Sequence, residues 1–119
     1  MTEQRRAILA AFKHGERPLS PDELHSLANQ HVRKINLTTI YRNLKAMLEQ
    51  GEIVAVAMLG KSTRYELSGL DHHHHFLCDK CDRVFDIPGC PGSMQSHAPE
   101  GFAVHSHELM LIGCCRSCV

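Results

Sequence analysis

The sequence of 119 residues predicts an α+β protein made of two modules, and three observations lead to this fold class. Helical apolar spacing runs through much of residues 1–50, whereas β-rich segments follow from residue 53 onward. All six cysteines and seven of the ten histidines lie in residues 68–119. The charge divides at the same place, because residues 1–67 carry ten Lys and Arg against seven Asp and Glu, and residues 68–119 carry three against six.

The overall composition narrows the class of protein. An apolar content of 43% with no net charge fits a folded chain and argues against wholesale disorder. Six aromatic residues and no tryptophan argue against a stacking platform for single-stranded nucleic acid. No apolar run approaches the roughly 18 residues of a membrane span, and the N-terminal segment lacks a signal-peptide core, so a cytoplasmic protein without a membrane partner is expected.

Three helices are predicted in the first module. The first covers Arg5–Lys13 and stops at Gly15. The second starts at the segment 20–23, Ser-Pro-Asp-Glu, which combines a capping box with proline at the first helical position. The third runs from about Leu37 to Gln50, where apolar residues at the i, i+4, i+7 and i+8 positions define one buried face.

The elements after the third helix favour DNA binding over a merely solvated helix face. Residues 53–58 and 63–67 read as two strands joined by a turn at Gly60 and Lys61. Three helices followed by a hairpin are typical of a winged helix-turn-helix, whose third helix enters the major groove of double-stranded DNA. The candidate DNA-binding residues on that helix and the wing are Thr38, Thr39, Tyr41, Arg42, Lys45, Lys61 and Arg64.

The second module contains two Cys-x2-Cys knuckles with 33 residues between them. Four thiolates at this spacing can surround one zinc ion tetrahedrally and form a closed structural site. A module of about fifty residues needs such support, because it cannot bury a large core of its own. The predicted zinc ligands are Cys78, Cys81, Cys115 and Cys118, with Cys114 as an alternative to Cys115.

The run of four histidines predicts a second kind of site. In a strand, His73 and His75 point to one face while His72 and His74 point to the other, so each pair could serve a separate metal. Asp86 follows the first knuckle, and Glu66 ends the wing just before a short hinge at residues 68–71. A regulatory site of Glu66, His73, His75 and Asp86 would offer nitrogen and oxygen ligands that suit Zn²⁺, Fe²⁺ or Mn²⁺.

Together these motifs resemble those of the ferric uptake regulator superfamily, the metal-sensing repressors of iron, zinc and peroxide responses. Residues 38–44, Thr-Thr-Ile-Tyr-Arg-Asn-Leu, are similar to its recognition-helix motif, and residues 64–67 to the end of its wing. The segment from His72 to Asp86 is similar to its histidine-rich stretch, first knuckle and following acid. His107, Cys115 and Cys118 resemble its last strand and second knuckle.

The resemblance implies that the two modules have different functions. Residues 1–67 would bind DNA, and residues 72–119 would form an α/β dimerisation module with the four-cysteine zinc site. The homodimer would bind a near-palindromic operator, and the metal at the hinge would act as corepressor. His72 and His107 match ligands of a further site found in some members, to which His74 and Cys90 are possible contributors.

Two alternatives remain open at this stage. The regulatory metal could be Zn²⁺ or Fe²⁺, with Mn²⁺ less favoured, and Cys90 as a soft ligand would favour zinc. The chain could also be a winged-helix protein with structural zinc only and no metal sensing. An enzyme is not expected, because no segment offers a substrate cleft for a small molecule.

Overall fold

The computed structural model describes residues 2–15, 17–32, 34–58 and 60–119. The chain divides into two compact units, one ending at Leu70 and one beginning at Asp71. Each unit contains its own β-sheet, and the helices belong to the first unit apart from one short 3-10 turn. The predicted α+β class is therefore confirmed.

The described residues of the first unit form three α-helices and a two-stranded antiparallel sheet. The elements are α1 Glu3–Gly15, α2 Pro21–Ala28, α3 Leu37–Glu49, β1 Ile53–Val56 and β2 Arg64–Leu67. α1 is two residues longer at each end than its apolar spacing predicts. Among the described residues, no helix is long and apolar enough to cross a membrane.

The capping box predicted for α2 is present. Ser20 Oγ accepts a hydrogen bond from the backbone N–H of Glu23 at 3.1 Å, and the Glu23 carboxylate accepts one from the backbone N–H of Ser20 at 3.0 Å. A cap of this kind contributes about 1 kcal/mol to helix stability. The other carboxylate oxygen of Glu23 lies 2.6 Å from the guanidinium of Arg17, which fixes the approach to the helix.

The core of the first unit lies where the three helices meet. α3 contributes Ile40, Leu44 and Met47, each no more than 2% exposed, so its opposite face remains available to solvent. β2 is paired on both sides, because Leu19 and Tyr65 exchange two backbone hydrogen bonds of 2.8 Å on the side away from β1. These bonds attach the hairpin to the segment between α1 and α2, and Lys61, which follows β1, is exposed.

The second unit has a three-stranded sheet and a small core. Its strands are β3 His74–Cys78, β4 Val84–Ile87 and β5 Met110–Gly113, in the order β4-β3-β5, with β4 antiparallel and β5 parallel to β3. All of residues 71–119 are described, and their only buried apolar side chains are Leu77, Cys78 and Val84. Apolar burial alone is too limited to hold such a unit together.

Residues 102–113 have a strand-like pattern in the sequence, but the first eight of them form no strand. Only Met110–Gly113 form β5, because β3 offers a partner for four residues, from His75 to Cys78. The Gln95 side chain binds the preceding stretch instead, donating to the carbonyl oxygen of Phe102 at 2.7 Å and accepting from the N–H of Val104 at 2.9 Å. This pair of bonds holds the segment as a loop against the 3-10 turn Gln95–His97.

Candidate metal centres and the exposed face of α3

The sulfur atoms of four cysteines converge at one end of the second sheet. Cys78, Cys81, Cys115 and Cys118 place their Sγ atoms within 4.8 Å of one another, and those of Cys81 and Cys115 are 3.8 Å apart. Zn–S bonds of about 2.3 Å in a tetrahedron require sulfurs about 3.8 Å apart. The cluster therefore fits a four-thiolate zinc site, and Cys114 lies outside it.

Backbone hydrogen bonds bring the two knuckles together. Cys78 ends β3, and the backbone N–H of Asp79, the next residue, donates to the carbonyl oxygen of Gly113 at the end of β5 at 2.8 Å. The Cys78 sulfur accepts from the backbone N–H groups of Cys81 and Cys115 at 3.4 Å each. These donors stabilise the thiolate and lower the pKa of Cys78 to about 6.

Two other thiols of the cluster, those of Cys81 and Cys118, have raised pKa values and hold their protons more firmly without a metal. Hydrogen bonds to the sulfurs of Cys115 and Cys78 raise the pKa of Cys118 to about 12. A zinc ion must displace such protons, since the thiolate is the ligand, so binding is tighter at higher pH. Outside the cluster, burial and the negative charge of Asp79 raise the pKa of Cys114, which keeps that thiol neutral.

A second donor group lies on the neighbouring strands β3 and β4. His75 and Asp86 are directly paired across the two strands, and His73 precedes β3. Asp86 Oδ1 is 3.3 Å from His73 Nε2 and 3.5 Å from His75 Nε2. Two nitrogens and one carboxylate oxygen at these separations match the edges of a coordination polyhedron with metal–ligand bonds of about 2.1 Å.

The orientation of His73 supports a cation in this group. His73 Nδ1 lies 2.7 Å from the carbonyl oxygen of Asp71, so this nitrogen carries a proton and donates it. In the neutral ring the Nε2 lone pair then faces the carboxylate of Asp86, and either a proton or a metal cation must lie between them. A hydrogen bond from the far ring nitrogen to a carbonyl is the usual support of a metal-binding histidine. Glu66, the fourth predicted member, lies on β2 in the first unit.

A third group joins residues far apart in the sequence. His107 Nε2 lies 3.4 Å from His72 Nε2, 3.2 Å from His74 Nε2 and 3.0 Å from the sulfur of Cys90. Burial, followed by the charges of His72 and His107, lowers the pKa of His74. The structure thus brings together all four residues of the possible further site.

The exposed face of α3 carries most of the predicted DNA-binding side chains. Thr38, Tyr41, Arg42 and Lys45 are exposed, Thr39 is half-buried, and Lys61 is exposed on the loop between β1 and β2. Asn36 caps the helix, since its side-chain oxygen accepts from the backbone N–H of Thr39 at 2.9 Å. The N-terminal turn of α3 is therefore well defined, and its hydroxyl and cationic groups face solvent.

Arg64 does not belong to this face. Its side chain is 2% exposed, and one guanidinium nitrogen donates to the carbonyl oxygen of Ser62 at 2.6 Å and to the Ser62 hydroxyl at 2.8 Å. The Glu23 carboxylate lies 3.8 Å from the Nε atom of Arg64. A guanidinium held inside the fold in this way cannot reach a phosphate, so the assignment of Arg64 as a DNA contact is corrected to a structural role.

Two side chains of α2 and the following turn fix the start of α3, and the sequence did not reveal them. His25 Nε2 lies 2.6 Å from the carbonyl oxygen of Ile35, and Asn29 Oδ1 accepts from the N–H of the same residue at 2.9 Å. Both backbone groups of Ile35 are thereby satisfied just before the cap of α3. No sequence motif indicates these contacts, because His25 and Asn29 lie ten and six residues before Ile35.

The described residues contain three groups of side chains that could hold a metal ion, and the first unit has a helix with an exposed polar and cationic face. These features are typical of a metal-responsive DNA-binding protein. Residues 1–112 match the model of the family described as the ferric uptake regulator family. The chain belongs to this family, whose members are metal-responsive transcription regulators that bind DNA and are not enzymes.

Relatives and solved structures agree with this membership. The ferric uptake regulation protein of Campylobacter jejuni is 30% identical over 123 residues, covering 98% of this chain and 78% of that protein. The peroxide operon regulator of Bacillus subtilis is 27% identical, covering 99% of this chain and 84% of its own length. A solved structure described as a zinc-bound manganese uptake regulator is similar with a TM-score of 0.86 and 28% identity, covering 97% of this chain and 89% of the other.

Proposed function

We propose that this protein is a repressor whose affinity for operator DNA depends on a metal held by His73, His75 and Asp86. The observation that carries the proposal is this nitrogen and oxygen donor group, which is separate from the four-cysteine cluster. A closed thiolate site supplies structure, whereas an exchangeable ion needs weaker ligands. A winged-helix protein with structural zinc alone would have no use for the second group.

Residues 1–67 are proposed to form the winged helix that contacts DNA. In this assignment α2 and α3 form the helix-turn-helix, and β1 and β2 form the wing that carries Lys61. Thr38, Thr39, Tyr41, Arg42 and Lys45 would face the major groove. The cap at Asn36 supports this role, because recognition helices contact base edges and phosphates with their N-terminal turns.

We assign residues 68–71 as the hinge and residues 72–119 as the metal-binding dimerisation domain. Glu66 lies seven residues before His73 and would complete the regulatory site as a carboxylate ligand. Cys78, Cys81, Cys115 and Cys118 would hold the structural zinc. With nitrogen and oxygen ligands, the regulatory ion would be Zn²⁺ or Fe²⁺, and Mn²⁺ is the less favoured choice.

A homodimer on a near-palindromic operator is the proposed assembly. β5 is an edge strand, and its side chains Leu111 and Ile112 are 46% and 67% exposed. An apolar edge of this kind is normally covered, and a second copy of the same strand covers both edges at once. Two-fold symmetry in the protein then requires two-fold symmetry in the DNA site.

The proposed DNA face predicts a specific loss in the variant Arg42→Ala. Removing this cation should weaken operator binding by about tenfold and reduce the slope of affinity against salt by about one per protomer, because one phosphate contact is lost. Fluorescence anisotropy at several salt concentrations measures both quantities. The matched control is Lys13→Ala, which removes an exposed cation from the end of α1. Equal losses in the two variants would show general electrostatic attraction and contradict the assignment of α3.

A further inference from the structure

A cavity opens on the second sheet beside the four-cysteine cluster. Its volume is about 620 Å³, within the range of roughly 300–1,000 Å³ that sites for small molecules occupy. The lining residues come from β3, from β4 and the residue before it, and from the segment 114–117 that follows β5. All of them belong to the second unit, so the cavity is formed within that unit alone.

Two aromatic rings form the apolar part of this lining. Phe76 and Phe85 are directly paired across β3 and β4, and paired residues project from the same face of a sheet. Both side chains are half-buried, so each ring remains partly open to solvent. A Cβ atom at Gly113 would lie 3.2 Å from the end of the Phe76 ring, which therefore packs on the bare backbone of β5. A planar group of a ligand can pack on this fixed pair of rings.

Two cations complete the lining. Arg83 directly precedes β4, and Arg116 lies inside the second knuckle. Neither guanidinium has an ion-pair or hydrogen-bond partner among the residues that the structure describes. The one acid in the lining is Asp86, whose carboxylate is directed toward His73 and His75. Two guanidiniums beside an apolar surface attract an anion, and their planar forks match the geometry of a carboxylate.

We propose that this cavity binds a small aromatic carboxylate, with its ring against Phe76 and Phe85 and its charge held by Arg83 and Arg116. An aliphatic acid would pair with the cations but would not stack on the two rings, and a neutral arene would leave both cations without a partner. The site goes beyond metal-dependent repression, because its ligand is an organic anion and neither arginine belongs to a metal-binding group.

Binding of 1-naphthoate to the full-length protein tests this site. The protein keeps zinc in the four-cysteine cluster and is stripped of weaker metals, so that the carboxylate has no exchangeable ion to bind. By titration calorimetry, 1-naphthoate should bind about tenfold or more tightly than 1-naphthamide, which has the same rings without the charge, because charge-assisted hydrogen bonds are lost. In two-dimensional NMR, the signals that shift should belong to residues around Phe76, Phe85 and Cys114. Equal affinity for the two compounds, or shifts confined to other parts of the chain, would overturn the proposal.

Arginine variants separate this site from general attraction between charges. Arg83→Gln and Arg116→Gln should each weaken 1-naphthoate binding by about fivefold to tenfold and leave 1-naphthamide binding unchanged. Lys80→Gln is the matched control, because it removes an exposed cation of the same unit that does not line the cavity. Equal losses in all three variants would overturn the role of the arginines.

A variant of the aromatic pair covers the case in which an arginine variant loses its zinc, which is counted for every protein. Phe85→Leu lies outside both knuckles and should weaken the binding of both compounds by about threefold or more, because stacking on one ring is lost. Unchanged affinity in this variant would overturn the role of the rings. Absence of any 1-naphthoate binding to the wild-type protein would also overturn the proposal and would favour coverage of the cavity by a second copy of the chain.

Discussion

Replacing Cys78 with serine is expected to unfold residues 71–119 while the three-helix unit stays folded. Only three apolar side chains are buried in the second unit, so little hydrophobic energy remains once the zinc is lost. Structural zinc contributes roughly 10–16 kcal/mol of apparent folding energy in small zinc domains. Loss of one thiolate ligand should remove most of this contribution. The first unit keeps its own core of residues from all three helices and β1.

Two-dimensional NMR of the full-length variant measures the effect in each unit separately. Amide signals of residues 71–119 should collapse into the unfolded region, those of the helices should remain dispersed, and the zinc content should fall. Cys114→Ser is the matched control, because this half-buried thiol lies beside the cluster but outside it. A Cys78→Ser protein that keeps a dispersed second unit would contradict the structural role of the cluster.

Replacing Asp86 with alanine is expected to abolish metal-dependent tightening on DNA and to leave the fold intact. The carboxylate faces both His73 and His75, and two imidazoles alone hold a divalent ion weakly. If metal strengthens DNA binding tenfold or more, the coupling between the two ligands is about 1.4 kcal/mol or more, and all of it should disappear. His73→Ala should have the same effect, because it removes a ligand of the same ion.

The measurement compares operator affinity with and without metal for each variant. Metal-free affinity should equal that of the wild type, since the DNA-binding unit is untouched. Glu108→Gln, which neutralises an exposed acid in the same unit, serves as the control for charge. An Asp86→Ala protein that still tightens on DNA when metal is added would place the sensing ion elsewhere.

The sequence predicted those structural elements that depend on residues close together in the chain. The start of α2 follows from the capping box at Ser20 and Glu23, and the buried stripe of α3 follows from apolar spacing. The spacing of the two knuckles likewise predicted which cysteines would meet. Each of these features depends on residues within a few positions, or on a motif in which the distance between ligands is itself the signal.

The parts that sequence reasoning missed depend on long-range partners. In the sequence, Arg64 cannot be told from an exposed cation of the wing that contacts DNA. The structure shows that its side chain contacts Ser62 and Glu23 instead. The loop at residues 102–109 has a strand-like pattern, but β3 is too short to pair with it. The meeting of Cys90 with His107 joins two irregular segments, for which no periodicity exists.

The central claim is that metal and operator DNA bind cooperatively to this protein, and fluorescence anisotropy tests it most directly. The full-length protein, with its four-cysteine zinc retained and counted, is titrated onto a palindromic operator of the family type at fixed salt. The titration is repeated with Zn²⁺, with Fe²⁺ under anaerobic conditions and with Mn²⁺. The account predicts at least tenfold tighter binding with Zn²⁺ or Fe²⁺. Equal affinity with and without every metal would contradict it and leave a DNA-binding protein with structural zinc only.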